Sequence, residues 1–319
     1  MTTLNGSSPA TAPTASKRSR RGSLAKSRRR QAWAAWFFLS PTLLFFGIFL
    51  VLPLLFAIGL SLSVWGGFDL TRIEFTGLDN FGAILSEGSS FVAPILTNTL
   101  LFAFGAVALA LVASVAIAHA ITRLRFEGFW RTLYFLPIVT TVVAVGNIWK
   151  YLYEPGGGLI NGLLNAVGIS SVQFLSDPDT ALPSVVVVQA WASIGSAILI
   201  LTAGLKAIPH TYYEAGELDG TTAWSAFWHI TLPLLRPTLL FVMITQFIGA
   251  LQSFALIIVM TSGGPANATN VAGFEMYQQA FRFGSWGVAS AMALVLFAVI
   301  FVITLLQLWF FRRKGEETS

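Results

Sequence analysis

The 319-residue sequence contains no cysteine, and this absence removes several kinds of chemistry at once. A chain without thiols forms no disulfide, holds no thiolate-bound metal and has no cysteine nucleophile. Its three histidines, His119, His210 and His229, lie far apart in the sequence and do not have the spacing of a metal-ligand pair. We therefore expect neither a metal site nor a bound cofactor.

Charge is also scarce, because only 10% of the residues are charged whereas 55% are hydrophobic. The mean hydropathy of +0.74 is typical of a membrane protein. The net charge of +5 comes from one short stretch, in which eight basic side chains lie between positions 17 and 30. A nucleic-acid-binding face spreads its charge over a folded surface, so we expect no nucleic-acid partner. Residues 1–32 are predicted to form a disordered basic cytoplasmic tail, which either binds anionic membrane lipid or only sets topology.

Six apolar runs have the length of about 20 residues that a helix needs to cross a bilayer. The sequence therefore predicts an all-α integral membrane protein with six transmembrane helices. The first run exceeds the length of a secretory signal, so we interpret it as an uncleaved anchor that kinks at Pro41 or Pro53. The six runs are Trp33 to Val64, Val92 to Ala118, Phe129 to Tyr153, Ala181 to Leu205, Thr238 to Met260 and Gly287 to Phe311.

The orientation of these spans follows from the position of lysine and arginine in the segments that flank them. Sixteen basic residues fall on the side that carries both termini, and only Arg72, Lys150 and Arg282 fall on the other. Because basic loops stay in the cytoplasm, both termini are predicted to be cytoplasmic. Residues 33–312 form the predicted transmembrane domain, residues 313–319 form a cytoplasmic tail, and the segments 65–91, 154–180 and 261–286 lie outside.

The predicted cytoplasmic segment 206–237 has more internal pattern than a connector needs. Pro209 suits the first turn of a helix, Gly220 suits its left-handed end, and Thr221 suits the cap of a second helix. Trp224, Phe227 and Trp228 then share one face of that second helix. The segment is predicted to dock another protein. An amphipathic hairpin lying on the bilayer is the alternative, which the carboxylates of Glu214, Glu217 and Asp219 disfavour.

The same segment carries a family pattern. Glu214-Ala215-Gly216 is followed by Gly220 and, nine residues later, by Ile230 and Leu232-Pro233. This resembles the pattern Glu-Ala-Ala, three residues, glycine, nine residues, Ile-x-Leu-Pro of permease subunits of bacterial binding-protein-dependent ABC importers, with Gly216 replacing the second alanine. Further motifs resemble the carbohydrate-importing subfamily, which includes maltose-type and glycerol-3-phosphate-type permeases: Gly77-Leu78-Asp79-Asn80-Phe81, Asn98-Thr99-Leu100, Phe135-Leu136-Pro137, Gly158-Leu159-Ile160-Asn161 and Thr261-Ser262-Gly263-Gly264-Pro265.

The resemblance implies the ABC-importer permease fold and a location in the inner membrane of a bacterium. It implies four partners: a cytosolic ABC ATPase, a second homologous permease subunit, an extracytoplasmic solute-binding protein and a carbohydrate substrate. The segment 206–237 would then be the coupling loop that inserts into the ATPase. Its implied coupling residues are Glu214, Ala215, Gly216, Asp219, Gly220, Ile230, Leu232 and Pro233.

Other functions are weighed against this one. The chain is not expected to be an enzyme, because ATP hydrolysis needs a Gly-Lys-Ser/Thr loop and no lysine here follows a glycine. A phosphatidyltransferase shares Asp219-Gly220-x-x-Ala223, but Trp224 replaces its expected arginine and the following metal-binding aspartates are missing. The remaining alternative is a stand-alone secondary transporter or channel for a small neutral solute. Such transporters usually hold ionisable side chains within their spans, and the central parts of these spans contain none.

Two stripes of small and polar residues predict the substrate path. The fifth span carries Gln246, Gly249, Gln252 and Ser253 on one face, and the fourth span carries Gln189, Ser193 and Ser196. Because lipid cannot satisfy an amide, both stripes are expected to face the protein interior or a water-filled cavity. Whether they bind a carbohydrate or only hydrogen-bond the two spans together stays open at this point.

Overall fold

The structure is a computed structural model that describes residue 33, residues 35–67 and residues 73–316. The predicted tail 1–32 lies outside these residues. The chain divides after Ala57 into two units. Apart from residue 33, the described part of the first unit belongs to helix α1 (Ala35–Ser61), which has a π-helical turn at Gly47–Val51, two residues before Pro53. The helix is apolar along its length, as the predicted first span requires.

Three further helices are long and apolar enough to cross a membrane. They are α3 (Phe91–Ile121), α7 (Pro178–Lys206) and the first 26 residues of α13 (Trp286–Glu316). With α1 this makes four single-helix spans in the described part of the chain, and up to six if each of two bent helix pairs is counted as one span. The helical class and the six-span prediction agree with this architecture.

The predicted third span is not one straight helix. It consists of α4 (Glu127–Val139) and α5 (Val142–Leu152), which meet at an angle of 98°. Pro137 lies in the last turn of α4, and Thr140 and Thr141 adopt extended backbone. Thr141 then caps α5 by accepting a hydrogen bond from the amide of Ala144 at 3.3 Å. The apolar run hides this break because both halves are hydrophobic.

The predicted fifth span, Thr238 to Met260, is also interrupted. Helix α10 (Arg236–Leu251) ends before Gln252, and a separate short helix, α11, spans Ala255–Met260. Residues 252–254 leave the helix, and the hydroxyl of Ser253 donates a hydrogen bond to the side-chain oxygen of Gln189 on α7 at 3.2 Å. Helix α10 is preceded by α9 (Ala223–Leu234), and these two helices meet at 67°.

Short elements occupy the predicted outer segments. A two-residue strand pair, β1 (Ser63–Val64) and β2 (Glu74–Phe75), is antiparallel and was not predicted. The other elements are α2 (Asp79–Leu85), α6 (Leu159–Ala166) and α12 (Ala272–Tyr277), which is followed by a π-helical turn at Gln278–Arg282. On the predicted cytoplasmic side lies α8 (Thr211–Leu218).

The centre of the fold is the contact between α3 and α7. Small residues on these helices permit close approach, as is usual between helices in membranes. A Cβ added to Gly105 of α3 would lie 3.0 Å from Val186 of α7, and one added to Gly195 would overlap the carbonyl oxygen of Tyr134 on α4. Helix α7 is therefore held between α3 and α4, which brings its polar residues beside the break in the third span.

Candidate functional site

A cavity of about 460 Å³ lies where the breaks in the third and fifth spans face α7. Its wall contains six of the seven residues predicted for the substrate path. The two stripes that are separate in the sequence therefore meet at one place in the structure. The six residues are Gln189, Ser193, Ser196, Gly249, Gln252 and Ser253.

Gln246 has a different place from the other stripe residues. Its side-chain amide donates to the carbonyl oxygen of Ser193 at 3.1 Å and to the hydroxyl of Ser196 at 3.4 Å. It thus ties α10 to α7 and is not among the residues that line the cavity. Gly249 faces open space, because a Cβ added there would meet no atom within 4 Å.

The lining of the cavity carries no ionisable side chain. Amides and hydroxyls alternate with apolar groups, among which Pro137, Val145 and Leu256 form part of the wall. The volume falls in the range of roughly 300–1,000 Å³ that is common for small-molecule sites. The wall therefore offers hydrogen-bonding groups and apolar surface without charge.

The second candidate site is the loop that contains α8. Gly220 has a φ of +74° and ends the helix in the left-handed region, as the sequence predicts. The amide of Gly220 donates to the carbonyl of Glu217 at 3.0 Å, and that of Thr221 donates to the carbonyl of Gly216 at 2.8 Å. These two bonds form a Schellman motif, which fixes the direction in which the chain leaves α8.

Two side-chain contacts hold α8 against α9. Gly216 is buried, and a Cβ added there would lie 2.9 Å from the terminal carbon of Ile230. The hydroxyls of Tyr213 and Thr231 are 2.9 Å apart and hydrogen-bonded. Glycine at position 216, where the family pattern has alanine, thus makes room for Ile230, which the same pattern specifies. Contacts between α8 and α9 therefore hold these two helices together.

The exposed edge of α8 presents the remaining loop residues. Glu214, Ala215, Asp219 and Gly220 are exposed, and Nδ1 of His210 lies 3.2 Å from a carboxylate oxygen of Glu214. Leu218 is 90% exposed and was not singled out from the sequence, although an apolar residue between two acidic ones is a signal for it. Leu232 and Pro233 are half-buried in α9.

Two details of the loop differ from the sequence prediction. Helix α8 begins at Thr211 with His210 as its N-cap residue, so Pro209 lies before the helix and not in its first turn. Thr222, not Thr221, caps α9, because its hydroxyl oxygen accepts a hydrogen bond from the backbone amide of Ser225 at 3.3 Å. Thr221 instead takes part in the Schellman motif through its amide, and the second helix begins one residue later.

The aromatic face of α9 forms as predicted. Trp224, Phe227 and Trp228 contact one another with ring centroids 5.4 to 6.2 Å apart. Phe227 also contacts the ring of His119 near the end of α3, at 4.9 Å. This contact between two half-buried side chains connects the loop to α3.

An ion pair at the base of the loop was not predicted. The ammonium of Lys206, the last residue of α7, lies 2.7 Å from the carboxylate of Glu127 at the start of α4. Arg131, one turn further along α4, contacts the same carboxylate. The spacing of Glu127 and Arg131 is visible in the sequence as an i, i+4 pair, but their proximity to Lys206 depends on the fold.

A comparison with protein families matches residues 106–316 to the family described as binding-protein-dependent transport system inner membrane component. The match covers about two thirds of the chain and includes both the cavity and the loop. The chain belongs to this family. It is therefore a permease subunit of an ABC importer and a protein of the inner membrane, as the loop motif predicts.

Individual relatives extend over most of the chain. The probable ABC transporter permease protein YurN of Bacillus subtilis is 31% identical over 88% of this chain and 97% of its own length. The trehalose/maltose transport system permease protein MalF of Thermococcus litoralis is 31% identical over 90% of this chain and 97% of its own. A solved bacterial ABC transporter that imports the acidic polysaccharide alginate contains a chain with a TM-score of 0.74, 25% identity and coverage of 91% and 98%.

Family membership decides between the alternatives that the sequence left open. The stand-alone secondary transporter or channel is not favoured, since permeases of this family belong to ABC importers. The phosphatidyltransferase is likewise not favoured, because the family is one of transport permeases.

Proposed function

We propose that this chain forms half of the pore of an importer for a neutral saccharide. The observation that carries the proposal is the cavity, which is lined by amides, hydroxyls and apolar groups and has no charged side chain in its lining. Gln189, Gln252 and the neighbouring serines would exchange hydrogen bonds with sugar hydroxyls. The apolar wall would contact the C–H faces of the sugar ring.

The names of several relatives support a saccharide as the substrate. They include a trehalose/maltose permease, a lactose permease of Rhizobium radiobacter and a diacetylchitobiose permease of Streptomyces coelicolor. The structural neighbour imports alginate, which is acidic. A site for an acidic sugar needs cationic partners, so the uncharged lining here favours a neutral saccharide.

The loop is proposed to couple this pore to a separate ATPase. Glu214 and Leu218 on the exposed edge of α8 would enter a cleft of the ATPase, with Glu214 opposite a basic residue. The Schellman motif and the Tyr213–Thr231 bond would let α8 and α9 move as one body. A second, homologous permease would complete the pore, and an external solute-binding protein would deliver the saccharide.

This proposal is tested by reconstituting the chain with its co-expressed partners in proteoliposomes. Radiolabelled trehalose, maltose, lactose and diacetylchitobiose serve as probes, with alginate oligosaccharide as the acidic comparison. We expect ATP-dependent uptake of at least one neutral saccharide and none of the acidic one. Uptake of none of the neutral saccharides, or uptake without added ATP, would contradict the proposal.

A further inference from the structure

Five aromatic rings form a continuous series that begins at the cavity. We call Phe254, Tyr277, Phe281, Trp286 and Trp65, in that order, the aromatic ladder. Successive ring centroids are 6.0, 5.4, 4.9 and 5.9 Å apart. Phe254 lies in the break between α10 and α11 and lines the cavity. Trp286 begins α13 and Trp65 follows β1, so the other end of the ladder lies on the predicted outer side.

The backbone is adapted to hold these rings in place. Tyr277 and Phe281 lie four residues apart, which brings their side chains together where α12 passes into the π-helical turn. Gly67 has a φ of +89°, and a Cβ there would overlap the indole nitrogen of Trp286. A Cβ on Gly273 would lie 3.1 Å from the Cβ of Phe254. Phe254 and Trp286 thus pack against glycine backbone.

Hydrogen-bonding groups accompany the rings. Tyr277 is 41% exposed and Phe281 is 67% exposed. Beside them on the π-helical turn, the guanidinium of Arg282 donates to the side-chain oxygen of Gln278 at 3.4 Å. Gln252 and Ser253 flank Phe254 at the inner end. Hydrogen-bonding groups thus lie beside the rings, where sugar hydroxyls would find partners.

We propose that the aromatic ladder is a saccharide-binding track that leads from the outer surface to the cavity. The C–H face of a sugar ring stacks on an aromatic ring, whose negatively polarised face attracts the C–H groups, while the sugar hydroxyls bond the adjacent amides. Ring-to-ring steps of about 5–6 Å would let a saccharide pass from one ring to the next without leaving aromatic contact. This inference rests on the proposed saccharide function.

The test uses the assembled transporter in proteoliposomes with its binding protein and ATPase. The ladder variant is Tyr277→Leu with Phe281→Leu, and the aromatic-retaining variant is Tyr277→Phe with Phe281→Tyr. Phe283→Leu is the matched control, because Phe283 is 59% exposed in the same segment and lies outside the ladder. The probes are whichever of radiolabelled maltose, trehalose, lactose and diacetylchitobiose the wild type imports.

We expect saccharide uptake by the leucine pair to fall about fivefold or more, since one aromatic contact corresponds to a factor of about two to ten. ATPase activity stimulated by the binding protein should stay within about twofold of wild type, because docking and coupling are untouched. The aromatic-retaining pair and Phe283→Leu should import at the wild-type rate.

Four outcomes overturn the inference. Unchanged uptake by the leucine pair removes any role of the rings in transport. An increase in the binding-protein concentration needed for half-maximal ATPase activity makes the ladder a docking surface instead. Loss of the assembled complex in the leucine pair, but not in Phe283→Leu, makes it a subunit contact. Import of no saccharide by the wild type contradicts the proposed function itself, which separates that failure from a failure of the ladder.

Discussion

Gly220 ends the helix that is proposed to contact the ATPase, and its φ of +74° is unfavourable for most residues that carry a Cβ. A Cβ at this position meets no atom within 4 Å, so a larger side chain would start in open space. A block of transport by a bulky residue is therefore expected to come from backbone strain or from the partner.

Gly220→Trp is predicted to abolish uptake while the protein remains in the membrane. Backbone strain alone is expected to lower the free energy of unfolding by about 1–2 kcal/mol. Gly88→Trp is the control for this strain. Gly88 has a φ of +87°, equal open space and a position in a predicted outer segment. Uptake and co-purification of the ATPase are measured for both variants. Equal loss in both would attribute the effect to strain and remove Gly220 from the docking surface.

Charge reversal at Glu214 is predicted to prevent ATPase association. Glu214→Lys places a cation opposite the proposed basic residue, where like charges repel. Glu217→Lys is the comparison, because Glu217 is exposed on the same short helix. We expect ATPase co-purification to fall about tenfold or more for Glu214→Lys, as for a lost charged contact, and to change little for Glu217→Lys. Normal co-purification of Glu214→Lys would argue against the proposed contact.

The two glutamines of the fifth span are predicted to have separable roles. Gln246 bonds to Ser193 and Ser196, so Gln246→Ala should lower stability by about 0.6 kcal/mol per lost bond with unchanged sugar preference. Gln252 lines the cavity, so Gln252→Ala should change which saccharide is preferred while the complex assembles normally. Thermal denaturation in detergent and competitive uptake distinguish the two. The reverse pattern, or unchanged preference in Gln252→Ala, would contradict this division.

At the scale of elements, the sequence predicted the helices and their apolar faces better than their continuity. Pro137 indicates the break in the third span. The break in the fifth span lies at Gln252, Ser253 and Phe254, and none of these residues is a proline or a glycine. That break depends on contacts with α7 and with Gly273, which are distant in the sequence. The polar stripes were predictable because helical periodicity is local, whereas the aromatic ladder joins separate segments and required the fold.

The ion pair between α4 and α7 is predicted to position the coupling loop. Lys206 ends α7 directly before the loop, and Glu127 holds it at 2.7 Å. A double-mutant cycle of Glu127→Gln and Lys206→Met should give a coupling of about 1 kcal/mol or less, since Lys206 is half exposed. If the pair has a positioning role, uptake per ATP hydrolysed should also fall in both single variants. Unchanged coupling of hydrolysis to uptake would leave the pair a purely structural contact.

At the scale of the whole molecule, the cavity and the loop can act in one transport cycle only if the protein has the predicted orientation in the membrane. The coupling loop must face the ATPase in the cytoplasm, and the outer end of the aromatic ladder must face the binding protein. In the proposed mechanism the spans between them would give alternating access when the loop moves as a rigid body. Orientation is thus the assumption that connects the loop, the cavity and the ladder.

The predicted topology has residues near 170 and 275 outside and residues near 125 and 215 inside, because sixteen basic residues flank one side and three the other. The absence of native cysteine makes single-cysteine labelling direct. Exposed positions are Ser170 and Arg282 on the outer side, and Arg125 and Thr211 on the inner side. In intact spheroplasts a membrane-impermeant maleimide should label Ser170→Cys and Arg282→Cys only. Arg125→Cys and Thr211→Cys should react after lysis, which controls for access. Labelling of Thr211→Cys in intact spheroplasts would reverse the orientation and place the loop on the side where no ATP is available.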